Sequence, residues 1–91
     1  MKQKTFIGTC DRIRQDPTGE KWWQSVMKKK RPISEKTFLK HINPVDVLDP
    51  DETWSTFASD QRRQDNLSFY KSGNIYFFQT AGFEYFWRDK K

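Results

Sequence analysis

A single cysteine and a single histidine leave most metal and nucleophile chemistry without material in these 91 residues. Cys10 alone excludes an intramolecular disulfide and fits a reducing compartment. No run of about 18 apolar residues occurs, so no transmembrane helix is expected. The first residues, MKQKTFIGTCDRIRQ, hold too short an apolar stretch for a secretory signal. A cytoplasmic protein is the reading that follows, and the basic run described below also suits a nuclear one. No internal repeat, low-complexity segment or domain boundary interrupts the chain, which reads as one domain over residues 1–91. No catalytic or cofactor motif is found, so neither an enzyme nor a cofactor is expected.

Hydrophobic residues make up only 34% of the chain, yet aromatics make up 16%. Large rings must therefore supply much of the buried area, at about 1.5–3 kcal/mol for each fully buried Phe-sized side chain. Charge is unevenly placed. Residues 1–45 hold eleven Lys/Arg against four Asp/Glu, or +7, whereas residues 46–91 hold six against eight, or −2. A concentrated basic half steers anionic partners in a way the net charge of +5 does not express.

Nine of the fifteen aromatic residues lie in LSFYKSGNIYFFQTAGFEYFWR, residues 67–88. Aromatic and β-branched residues fit a pleated surface. Gly73-Asn74 and Ala81-Gly82 are two-residue turn candidates, so the segment reads as a three-stranded antiparallel meander. Counting from those turns sets Tyr70 opposite Phe77 and Phe77 opposite Phe86, with Phe69 opposite Phe78 and Phe78 opposite Tyr85. Period-two alternation then separates two faces. Phe69, Tyr76, Phe78, Tyr85 and Trp87 form a core wall. Tyr70, Phe77 and Phe86 form a row on the other face, with Ser72, Gln79, Glu84 and Arg88 around it.

Helices are expected over about residues 4–64. Phe6, Ile7, Cys10 and Ile13 recur at helical steps between Lys4 and Gln15. Asp16-Pro17-Thr18-Gly19 reads as a break, and a second helix resumes over Glu20–Lys30. Ser34 is an N-cap candidate before Phe38, Leu39 and Ile42, and Asn43-Pro44 stops that helix. Asp49-Pro50-Asp51-Glu52 has the strongest start signal, with a cap, a proline at the first position and a capping-box glutamate. Trp54, Phe57 and Ala58 would give that helix its apolar face. The fold class is therefore α+β, with N-terminal helices packed on a C-terminal three-stranded β-meander.

Two constellations point to binding. Lys28-Lys29-Lys30-Arg31, with Lys36 and Lys40 one helical turn apart just beyond, is a phosphate-contact candidate giving salt-dependent, sequence-independent affinity. The plainer reading is a solvated loop. The row Tyr70, Phe77, Phe86 is a stacking platform for unpaired bases if it is open to solvent, with Arg88 able to meet phosphate. The plainer reading is burial beneath the protein's own chain. Trp22 and Trp23 are adjacent and cannot both face one helix stripe, which makes one of the two, taken as Trp23, an exposed anchor candidate. Asp46, Asp49, Asp51, Glu52 and Asp60 lack the spacing of a calcium loop, so no metal site is expected. His41 and Cys10 would need spatial contact to act as a pair. The expectation is a small non-enzymatic basic protein that binds nucleic acid through the basic loop and the aromatic face. The alternative is a protein-binding regulator or inhibitor, antitoxin-like or of the mobile-element type, with aromatic hot spots on the same face. Monomer and homodimer both fit.

Overall fold

The computed structural model describes residues 4–89. Its elements run β1 (Lys4–Thr9), α1 (Cys10–Ile13), α2 (Pro17–Lys29), β2 (Arg31–Ile33), α3 (Glu35–His41), a 3-10 turn (Pro44–Val47), α4 (Trp54–Arg63), β3 (Ser68–Ser72), β4 (Ile75–Thr80) and β5 (Phe83–Asp89). The class is α+β. The expected three-stranded meander understates the sheet, which has five antiparallel strands in the order β1-β5-β4-β3-β2. The meander is its centre, and β1 and β2 close its two sides.

Within the meander the register is the one that turn counting gives. Phe69 faces Phe78, Tyr70 faces Phe77, Phe77 faces Phe86 and Phe78 faces Tyr85. Both turns have two residues, and Ala81 and Gly82 both take positive φ, +44° and +83°, as the twist of a tight hairpin requires.

The expected helix over Lys4–Gln15 is a strand followed by one helical turn. Phe6 lies opposite Trp87 and Gly8 opposite Phe86, which leaves Ile7 as the extra residue of a bulge. Gly8 sits at φ +135°, a conformation no α-helix contains. The three- and four-residue spacing of Phe6, Ile7, Cys10 and Ile13 is thus produced by a bulged strand running into a short helix. Ile7, Cys10 and Ile13 pack on one face of the sheet and Phe6 on the other.

Two Asp-Pro pairs exchange the roles expected of them. Asp16-Pro17, read as a break, starts α2: the Asp16 side chain accepts from the Gly19 N–H at 2.7 Å, and Pro17 occupies the first helical position. Asp49-Pro50, read as a helix start, forms a turn. α4 begins at Trp54, capped by the Thr53 hydroxyl, which accepts from the Thr56 N–H at 3.2 Å. Ser34 caps α3 as expected, accepting from the Thr37 N–H at 3.1 Å.

The α1–α2 corner is so tight that a Cβ built on Gly19 would lie 1.7 Å from the Ile13 carbonyl oxygen. Gly→Ala inside a helix ordinarily stabilises by about 1 kcal/mol. Here the sign reverses, because backbone and not a flexible side chain occupies the space. Gly19→Ala is expected to destabilise by about 1–3 kcal/mol or more, the usual range for overpacking, read as a lower denaturation midpoint. An unchanged or raised midpoint would contradict the corner geometry.

Helices cover both faces of the sheet. On one, Phe38 and Ile42 from the α3 region, with Trp54 and Phe57 of α4, pack on Phe69, Tyr76, Phe78 and Trp87. On the other, Cys10 of α1 and Trp22, Val26 and Met27 of α2 pack on Ile75, Phe77 and Phe86. No helix among the described residues is long and apolar enough to cross a membrane.

Candidate functional site

The aromatic row does not form a surface. Phe77 and Phe86 have 0% exposure, and Tyr70 is partly buried with the Lys30 ammonium 4.5 Å from its ring centre. The cause is α2, which lies across this face and sets Trp22 edge-on to Phe86 at 5.5 Å between ring centroids. Trp23 is no free anchor either. Its indole N–H donates to the Glu84 carboxylate at 2.9 Å, and the Arg14 guanidinium lies 3.9 Å from its ring centre. Glu84, expected at the edge of an open platform, is 3% exposed and ties α2 to β5. Arg14 in turn binds Glu20 at 2.7 Å and, through that hydrogen bond, holds the Glu20 carboxyl below its ordinary range.

The basic residues are distributed otherwise. Lys28 and Lys29 are exposed in the last turn of α2, where cations favour the helix dipole. Arg31 is exposed on β2, the edge strand, and its partner across β3 is Lys71. Two cations directly opposite on neighbouring strands repel, which costs roughly 0.2–1 kcal/mol. Among the described residues no carboxylate forms an ion pair with either. Beyond β2, Lys36 and Lys40 are both exposed on α3.

The only acid between residues 21 and 40 is Glu35. It is turned toward α4, where it accepts from the Trp54 indole N–H at 2.9 Å and pairs with Arg62. The β2 edge is therefore flanked by a belt of cations on both faces of the sheet, Arg31 and Lys71 on the α3 side and Lys28 and Lys29 at the end of α2, while the local carboxylate is drawn away toward α4. Arg88, the remaining candidate, is exposed on β5 and lies apart from this belt, in a cleft with Arg12.

Lys71 of the belt and Arg12 of the cleft are residues the sequence did not single out. Lys71 sits in the acidic half of the chain, and its neighbour β2 is a three-residue strand containing Pro32, too short to show any period. Proline on a strand is itself an edge signal, and that was the one available clue.

Among the described residues the one cysteine and the one histidine lie on opposite faces of the sheet. Cys10 packs in the cluster beneath α1 and α2, whereas His41 lies tilted against Tyr76, 4.9 Å between ring centres, on the opposite face. The Cys–His pair is therefore not formed. Burial pushes the Cys10 thiol above its ordinary pKa, which suits an inert core thiol. Asp46 accepts from the Trp87 indole N–H at 3.5 Å, and the Glu52 N–H donates to the Asp49 carbonyl in a turn. Among the described residues no three His, Cys, Asp or Glu side chains come together as a metal site. No protein-family model, curated protein or solved structure matches the chain, so the belt and its surroundings carry the functional argument alone.

Proposed function

We propose that this is a small non-enzymatic protein that binds nucleic acid along its phosphate backbone, through the β2 edge. The observation that carries the proposal is the facing pair Arg31 and Lys71, two exposed cations that repel each other with no carboxylate paired to either among the described residues, Lys71 lying 5.5 Å from the Tyr76 ring centre. An anion seated between them removes that repulsion and gains two charge-assisted hydrogen bonds. Lys28 and Lys29 extend the belt on the α2 side of the edge, and Lys36 and Lys40 add charge on α3. Base stacking on Tyr70, Phe77 and Phe86 is not part of this proposal, because two of the three rings have no exposed surface. Recognition is thus by charge and spacing, with little dependence on base sequence.

The alternative of a protein interface on the aromatic face meets the same burial. Among the described large hydrophobic side chains, Val45 at 57% is the exposed one, too little for an apolar hot spot. The test is a titration against labelled single-stranded and duplex nucleic acid at two salt concentrations. The logarithm of the affinity is expected to fall linearly with the logarithm of salt, by about 0.7 per phosphate neutralised on single strands and about 0.9 on duplex. An affinity that ignores salt would overturn the proposal.

A further inference from the structure

At the start of α2, away from the belt, a cleft of about 630 Å³ opens beside β1. α2 is 13 residues long, so at 1.5 Å per residue about 20 Å separate its two ends. Two guanidiniums, Arg12 from α1 and Arg88 from β5, line the cleft, and neither forms an ion pair or hydrogen bond with a side chain among the described residues. The Trp22 indole, half-buried, forms part of the wall, and Ile7 and Ile13 add apolar surface. Thr18 contributes a hydroxyl. The one acid present, Asp16, has an oxygen committed to the Gly19 N–H at 2.7 Å, so the lining remains net positive by one charge.

The hollow is broad and open, so a ligand there would be held by directed charge contacts more than by enclosure. The composition is two forked cation donors, one flat aromatic and an aliphatic remainder. Forked guanidiniums match phosphate oxygens bidentately, and an indole offers a stacking surface for a flat ring. A second hollow of about 320 Å³, lined by Phe6, Gly8 and Thr9, shares Ile7 and Arg12 with the first and leads on past the β1 bulge.

We infer that this cleft binds a nucleotide, with Arg12 and Arg88 holding its phosphate and Trp22 stacking on its base. The inference goes beyond the proposed belt and does not depend on it. The same chemistry is offered by a free mononucleotide and by the phosphorylated end of a strand.

The experiment uses the full chain carrying Lys28→Gln, Lys29→Gln, Arg31→Gln and Lys71→Gln, so that the belt is silent and cleft binding is read by itself. Amide, indole and Arg Nε resonances are followed by NMR while adenosine monophosphate, adenosine or inorganic phosphate is added. Adenosine monophosphate is expected to move the Trp22 indole and the Arg12 and Arg88 Nε signals, and to bind at least about tenfold tighter than either fragment. Arg12→Gln and Arg88→Gln, both at exposed positions, should each weaken it by about tenfold or more while the remaining spectrum is kept. A 5′-phosphorylated trinucleotide that binds as well as the mononucleotide assigns the site to strand ends, and one that is excluded assigns it to free nucleotides. The inference fails if adenosine monophosphate leaves Trp22 unmoved at millimolar concentration. It also fails if phosphate alone binds equally well, or if both arginine variants retain the affinity within about twofold of the parent.

Discussion

Phe78→Ala is expected to lower the melting temperature by about 12–40 °C. Phe78 has no exposed surface, and its ring lies within 6.2 Å, centroid to centroid, of Phe38, Trp54, Phe57, Phe69, Tyr85 and Trp87. It is the point at which α3, α4 and the three central strands meet. Deleting a buried Phe ring costs about 3–5 kcal/mol, while a domain of this length has about 5–14 kcal/mol to lose. Each kcal/mol corresponds to about 4–8 °C in a domain of this size. Burial by itself does not test the register, because β4 is covered on both faces and a one-residue slip would also bury residue 78. Partner identity does. A double-mutant cycle between Phe38 and Phe78 should give a coupling of about 0.5–1.5 kcal/mol. A fall of less than about 5 °C for Phe78→Ala, or zero coupling, would mean that these rings do not meet.

Replacing Lys28, Lys29, Arg31 and Lys71 with Gln together should sharply flatten the salt dependence of nucleic-acid binding, leaving only what other cations such as Lys36 and Lys40 contribute. If all four contact phosphate on a single strand, they contribute about 2.8 to the slope. The parent protein then loses about 50-fold in affinity between 50 and 200 mM salt through these contacts, and the variant loses almost none of that. The variant should also fold normally. Lys28, Lys29, Arg31 and Lys71 are all exposed, and ordinary surface substitutions change stability within about 0.5 kcal/mol per site. Removing the Arg31–Lys71 repulsion even favours a slightly higher melting temperature. A folded variant with an unchanged slope would place the phosphate contacts elsewhere on the molecule. Lys36→Gln with Lys40→Gln then reports separately on α3.

The central sheet was legible because its information is local. Two turns of two residues fix every partner between Phe69 and Trp87 by counting, and alternation does the rest. β1 and β2 were not legible for opposite reasons. β1 imitates a helix, since Phe6 and Ile7 of the bulged strand run straight into Cys10 and Ile13 of α1 at three- and four-residue steps. β2 has three residues and no period at all, and its pairing is decided by β3, more than thirty residues away. The Asp-Pro pairs show that a start signal is a capacity which packing selects. Thr53 caps in place of Asp49 because a helix beginning at Trp54 presents that ring to Phe69 and Phe78. The site was partly hidden for a related reason. Alternation separates two sheet faces but does not say how many of them will be covered, and α2, with Trp22 and Val26 on its inner side, takes the face that an open platform would need. The basic run was visible as composition. Its facing of Lys71 depended on a strand too short to see.

β1 meets its partner only after most of the chain between them exists, for Thr9 pairs with Tyr85 and Phe6 lays its ring 5.0 Å from Trp87. At synthesis rates of about 5–20 residues per second, the first strand waits roughly 4–15 s for the last. Throughout that interval Phe6 lacks the Trp87 ring on which it packs. Once β5 forms, its outer edge stays an open template until β1 arrives. Docking of β1 on β5 is therefore the latest of the sheet's strand pairings that synthesis permits, although β1 is the first strand made.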